Sequence, residues 1–198
     1  MPLWGATDSD ESKPKNLTTA EKKEVYATGG GWVREAWSIW SGNDNAKADP
    51  EGLVAISNLS TSLGAADITG VEWITSTADK SDGFTLSVRV RYNEAVTVNT
   101  SGGTPTLAVT NGNQGSGSGR GPHSLSYSAG TGTNELTFSL AIAAGNAATN
   151  ANDQLTVAAQ SIALNSGTMT DATGTASNAS VVISADAVAS TGSVTVTA

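Results

Sequence analysis

At 198 residues the chain has room for one ordinary domain and an appendage. Charged residues make up 14% and aromatic residues 5%, while Gly, Ala, Ser, Thr and Asn dominate; this disfavours long charged helices and favours short strands joined by Gly- and Asn-rich turns. The formal net charge of −8, with nothing basic after Arg120, excludes the Lys/Arg surface that nucleic acid needs. The lack of cysteine excludes disulfides and thiolate metal sites, and the single His123 excludes a histidine-based zinc site within one chain.

Residues 1–12 have no basic n-region and no apolar run, so they do not read as a secretory signal. No stretch approaches the roughly 20 apolar residues that cross a bilayer. The expectation is a soluble protein made in the cytoplasm, without a membrane partner.

Four of the five tryptophans, Trp4, Trp32, Trp37 and Trp40, lie in the first 40 residues, where charge is also denser. That shift divides the chain into a Trp-rich segment, 1–66, and a second region, 67–198. Thr18 and Glu21 have capping-box spacing ahead of Lys22, Lys23, Glu24, Val25 and Tyr26, and the glycines at 29–31 would stop a helix. One short helix is expected over 19–28. Residues 42–45 and Asp49-Pro50 read as turns, and Leu53-Val54-Ala55-Ile56 as a strand or a brief helix.

From Ile68 onward, short alternating runs are separated by turn residues. Ile68, Val71, Trp73 and Thr75 open the series, with Trp73 expected to plug a sandwich. Phe84, Leu86, Val88, Val90 and Tyr92 then alternate with Thr85, Ser87, Arg89 and Arg91, a strand with one buried and one wet face. Later runs centre on 96–98, 106–110, Leu125 and Tyr127, 136–142, 155–157, 162–164 and 181–183. Seven or more strands at this spacing predict an all-β, immunoglobulin-like sandwich, preceded by a mostly irregular segment with one short helix. The Gly/Ser-rich stretch 111–122 is expected to be a hairpin loop, with a partner-touching tip as the sharper reading and Arg120 and His123 at its base.

No stretch carries a catalytic signature. A triad through His123 lacks a nucleophile elbow near any serine, and Glu94 and Glu135 fall at expected strand starts, where solvated carboxylates are ordinary. The chain is therefore not expected to be an enzyme. The tryptophans have two readings: Trp32, Trp37 and Trp40 cover a small local core, or Trp4, Trp32, Trp37 and Trp40 anchor the chain on a neighbour as aromatic hot spots do.

The order Tyr92-Asn93-Glu94-Ala95-Val96-Thr97-Val98, then Gly103-Thr104-Pro105-Thr106-Leu107, then Tyr127-Ser128-Ala129-Gly130-Thr131-Gly132-Thr133-Asn134-Glu135-Leu136-Thr137-Phe138 resembles the bacterial Ig-like or cadherin-like repeats of large surface proteins. Ala144-Gly145-Asn146 and Leu164-Asn165-Ser166-Gly167-Thr168-Met169-Thr170-Asp171-Ala172 extend the match, which covers roughly 67–185. It implies a sandwich and no catalytic residues. It also raises calcium, which cadherin-like domains bind at strand ends; Asn43-Asp44-Asn45, the stretch 150–153 and Asp171 supply oxygens without calcium-loop spacing, so Asx turns are the plainer reading and no cofactor is expected.

Met1-Pro2-Leu3-Trp4-Gly5, Asp8, Lys13-Pro14-Lys15 and Gly31-Trp32-Val33 are similar to the opening of virion structural proteins in tailed phages, especially cyanophages. Because this match starts at Met1, a phage particle component is favoured over a piece of an adhesin. The resemblance implies a capsid decoration protein on the head exterior, located in the virion. Its partners would be the major capsid protein or other virion proteins and further copies of itself, with Trp4, Trp32, Trp37, Trp40, Arg120 and His123 as candidate contact residues. A neck or tail connector is one alternative. A host-attachment module that binds a surface glycan or protein through 111–122, Tyr92 or Tyr127 is another.

Overall fold

The computed structural model describes residues 13–14, 16–28, 30–35, 45, 48–55, 66–112, 122–146, 149–172 and 178–198. Trp4, Trp37, Trp40, Arg120 and most of the 111–122 stretch lie outside these residues.

The capping box forms: the Thr18 hydroxyl accepts from Glu21 N–H, and the Glu21 carboxylate accepts from Thr18 N–H. The helix it starts, α1 (Thr19–Lys22), is a single turn and does not reach residue 28. Val25, Tyr26 and Thr28 are strand-favouring side chains, and a short helix with no buried face cannot offset its nucleation cost. Those residues form β1 (Val25–Thr28), antiparallel to β2 (Gly31–Arg34), which pairs in turn with β3 (Glu51–Ala55). The first region thus adds a three-stranded sheet to the helix expected of it. Its small core is Val25 and Trp32, with Leu17, Leu53 and Val54 packed around them. Gly31 is required there: its φ is +136°, and a Cβ would sit 1.8 Å from the Val54 carbonyl oxygen.

The second region is an all-β sandwich. Its strands are β4 (Ile68–Trp73), β5 (Ala78–Asp79), β6 (Phe84–Asn99), β7 (Thr106–Gly112), β8 (His123–Ala129), β9 (Thr133–Ile142), β10 (Gln154–Thr156), β11 (Gln160–Ser161), β12 (Thr168–Asp171), β13 (Val182–Ile183) and β14 (Ser193–Thr197), with a one-turn helix α2 (Ala185–Val188). Hydrogen bonding runs β12, β6, β9, β8, β7, β10, β14, β5, with β4 also on β6; β11 and β13 pair separately. Alternate residues along this path, among them Leu86, Val88, Leu107, Leu125, Phe138, Leu155 and Val196, all enter one core. A single sheet can do that only by curling over on itself into two layers.

Three expectations change in this region. The runs at 84–92 and 96–98 are one 16-residue strand, β6, continuous through Asn93-Glu94-Ala95. Glu94 is 1% exposed rather than a solvated strand start. Trp73 is half-buried at the rim and donates from its indole N–H to Gly192 O at 3.4 Å, so it edges the sandwich instead of plugging it. At one end of the sandwich, Gly103 lets two chain segments touch, since a Cβ there would lie 1.7 Å from Asn165 O. Asn165 fastens the same contact by donating to Thr104 O at 2.9 Å.

Candidate functional site

The outer face of β6 is not wet where it matters. Arg91, 4% exposed, approaches Glu24 at 3.6 Å, Glu72 at 3.0 Å and Glu135 at 3.0 Å. Glu24 comes from the turn before β1, Glu72 from β4 and Glu135 from β9, so one guanidinium joins the N-terminal sheet to two strands of the sandwich. Arg89 adds contacts to Glu135 at 3.3 Å and Glu72 at 3.7 Å. Strand register places these charges: Glu72 lies opposite Arg89, and Glu135 opposite Arg91.

Burial raises the Glu135 carboxyl above the ordinary carboxylate range; Arg89 and Arg91 oppose this, and Glu35 and Glu72 reinforce it. The Tyr26 phenol is pushed upward by burial and by its hydrogen bond to Glu35. Four carboxylates (Glu24, Glu35, Glu72, Glu135) therefore share this region with two guanidinium groups. Hydrogen bonds to backbone carbonyls complete the joint: Thr69 Oγ1 donates to Lys23 O at 3.2 Å, and Lys23 Nζ to Asp186 O at 2.7 Å. Chemically this is an ionic seam, with carboxylates held by arginines.

Two cavities open along the seam. One, about 460 Å³, is bounded by α1, β2, the start of β4 and α2, with Lys13, Lys22, Trp32 and Asp186 in its wall. The other, about 390 Å³, lies against Glu24, Glu72 and Arg91, and the two share Thr19 and Lys23.

A second buried polar group lies at the start of β8. His123, 8% exposed, has Nε2 3.2 Å from Thr149 Oγ1, and Asp153 and Thr149 are fully enclosed. Asp153 Oδ2 accepts from Asn150 N–H at 2.8 Å and Asp153 N–H donates to Asn150 O at 3.1 Å, closing a turn with Asn152 at φ 67°. A buried hydroxyl cannot meet a substrate, so this arrangement braces the sandwich end. Burial lowers the His123 pKa, against the upward pull of Asp153.

With its folded value depressed, His123 contributes stability that is complete above the ordinary value of 6.5 and is lost as pH falls through the folded value. Glu135, with its folded value raised, works in the opposite sense, so bulk acid unfolding mixes the two. The ring-proton titration of the chain's one histidine isolates the first: its midpoint should fall below that of an exposed histidine, and a midpoint at or above 6.5 would contradict the enclosed ring.

Of the expected contact residues, Trp32 is 0% exposed and belongs to the local core, so it is not a surface anchor. His123, the first residue of β8, is likewise buried and so is not an exposed contact. Tyr92 is buried, and its hydroxyl donates to Ser180 O at 3.0 Å; Tyr127 is half-buried, edge-on to Phe138. Neither tyrosine stands free on the surface for a host ligand. Among the oxygens considered for calcium, Asp171 is buried on β12, Asn45 is exposed, and Asn43 and Asp44 lie outside the described residues. Among the described residues no cluster of three or more His, Cys, Asp or Glu is arranged to hold a metal ion. Sequence reasoning missed the seam because Arg89 and Arg91 read as a wet face. The available signal was Arg-x-Arg on one strand facing Glu72 and Glu135 on its neighbours.

Set against models of known protein families, curated proteins and solved structures, the chain gives no match.

Proposed function

We propose that this chain is a non-enzymatic structural component of a tailed-phage particle, serving as a decoration protein on the head exterior. The observation that supports a structural role is the seam: Arg91 and Glu24, both buried, are spent on fixing the first region to the sandwich. Rigid coupling suits a part that must hold its shape on a lattice. The place on a particle rests on the similarity of the opening residues to virion proteins.

The seam also narrows where attachment occurs. The described first region turns Trp32 and Glu24 toward the chain itself, which leaves Trp4, Trp37 and Trp40 as the anchoring candidates. Replacing these three by Ala in the full-length chain should leave the unfolding midpoint of the sandwich nearly unchanged and strip the protein from purified particles. Full incorporation of a folded triple variant would overturn the assignment.

A further inference from the structure

We propose that Asp82-Gly83, in the turn between β5 and β6, is a site of spontaneous covalent modification at which the aspartyl residue converts to isoaspartate. The reaction is internal to the backbone. The Gly83 amide nitrogen attacks Asp82 Cγ in its carboxylic acid form, an N–Cγ bond forms, and the amide proton leaves with the carboxyl hydroxyl as water. Water then opens the cyclic imide. Opening at Cγ restores aspartate, whereas opening at the α-carbonyl breaks the original peptide bond and routes the main chain through Cγ. One water is released and one consumed, so the mass is unchanged.

The turn leaves both reacting groups free. Asp82 is exposed, and its carboxylate has no hydrogen-bond or ion-pair partner among the described residues. The Gly83 N–H likewise donates to no group among the described residues. Gly83 also places no Cβ in the way of ring closure, and the fold keeps glycine there: its φ is +76°, and a Cβ would lie 2.7 Å from Ala144 N. Asp79 takes up the other donors of the turn. Its Oδ1 accepts from Ser81 N–H at 2.8 Å, from Ser81 Oγ at 2.6 Å and from Asp82 N–H at 3.4 Å. The anchored segment thus stops one peptide short of the reacting one.

The two nearest competitors are held back. Asn111-Gly112 is the chain's one Asn-Gly pair and would cyclise in the same way with loss of ammonia. It lies on β7 with Leu155 and Gln154 of β10 opposite, and Asn111 is 6% exposed. Bending that backbone into an imide would break ladder bonds whose groups are then left unpaired. Asp79 is followed by Lys80, whose N–H is engaged by Thr197 O at 3.2 Å. Modification therefore concentrates at Asp82. Isoaspartate there adds a methylene to the main chain just before Phe84, which opens the pairing of β6 with β9 opposite Ile142.

The test is prolonged storage of the folded full chain at pH 5 beside the synthetic peptide 81–89, which trypsin also releases from the chain after Lys80 and Arg89. The expected product is a second form of peptide 81–89 with equal mass and a different retention, which isoaspartyl methyltransferase labels from S-adenosylmethionine. Its rate should be within about tenfold of the free peptide, a difference in barrier of no more than about 1.4 kcal/mol. Asp82→Glu, which would need the slower closure of a six-membered imide, should take no label in that peptide, and Asn111 should keep its amide. No product in the folded chain once the free peptide has converted, or a rate further below the peptide's than that, would overturn the site. So would equal labelling of Asp82→Glu, or deamidation of Asn111 ahead of change at Asp82.

Discussion

Arg91→Met is expected to destabilise the protein by about 3–5 kcal/mol, the range found when one partner of a buried ion pair is removed. The cost arises less from the missing guanidinium than from the carboxylates it leaves behind. Glu24 is buried and has Arg91 as its guanidinium neighbour, whereas Glu72 and Glu135 keep Arg89. Most domains are stable by only about 5–15 kcal/mol, so the variant would sit close to its folding limit. The loss should shrink toward acid pH. Glu135 already has a raised folded value, so its contribution is complete below the ordinary carboxylate value and fades as pH rises through the folded one. Without Arg91 the causes that raise it act with less opposition. Urea unfolding of both proteins at pH 5 and pH 8, with limited proteolysis of the first 55 residues, gives the answer. A variant equal to the parent at pH 8 would show that the seam carries no stability. Glu24→Gln, which removes a buried negative charge, should restore part of the loss in the double variant.

What the sequence disclosed follows the physics of each element. Alternation in Phe84, Leu86, Val88, Val90 and Tyr92 is a local property, and the structure places that face in the core. The capping box is also local, and it forms. The end of α1 was not legible, because Val25, Tyr26 and Thr28 are drawn into β1 by pairing with a strand that reads as featureless around Gly31 and Trp32. The course of β6 through Asn93 was hidden for a similar reason. Asn-Glu-Ala reads as a break, yet Asn93 stays extended by exchanging bonds with Asp67: its N–H donates to Asp67 O, and its Oδ1 accepts from Asp67 N–H. Partners 26 residues away leave no trace in a local window.

The seam was the least legible feature, and the proposed structural role is argued from it. A strand face carrying Arg89 and Arg91 looks like solvent contact unless something covers it, and the cover comes from a region whose own strands are too short to announce themselves. The consequence reaches the functional reading. Trp32 and His123 drop out as surface contacts, because both are buried.

Phe138→Ala tests the other half of the fold, where no charge is involved. β9 lies between β6 and β8, and Phe138 sits opposite Val88 on one side and Tyr127 on the other. Its ring is 0% exposed and meets Tyr127 edge-on, with centroids 6.0 Å apart at 75°. Truncation at such a site costs about 3–5 kcal/mol, through lost transfer energy and the cavity left in a core that relaxes only partly. Tyr127→Leu keeps most of the apolar packing. It forfeits the aromatic pairing, about 0.5–1.5 kcal/mol, and the bond its hydroxyl accepts from Thr131 N–H at 2.8 Å. The ordering is the sharp part of the expectation. Phe138→Ala must be the more damaging, and unlike Arg91→Met its cost should hardly change between pH 5 and pH 8. Denaturant midpoints at the two pH values decide this: a strongly pH-dependent loss for Phe138→Ala would mean that the core and the ionic seam do not act as separate sources of stability.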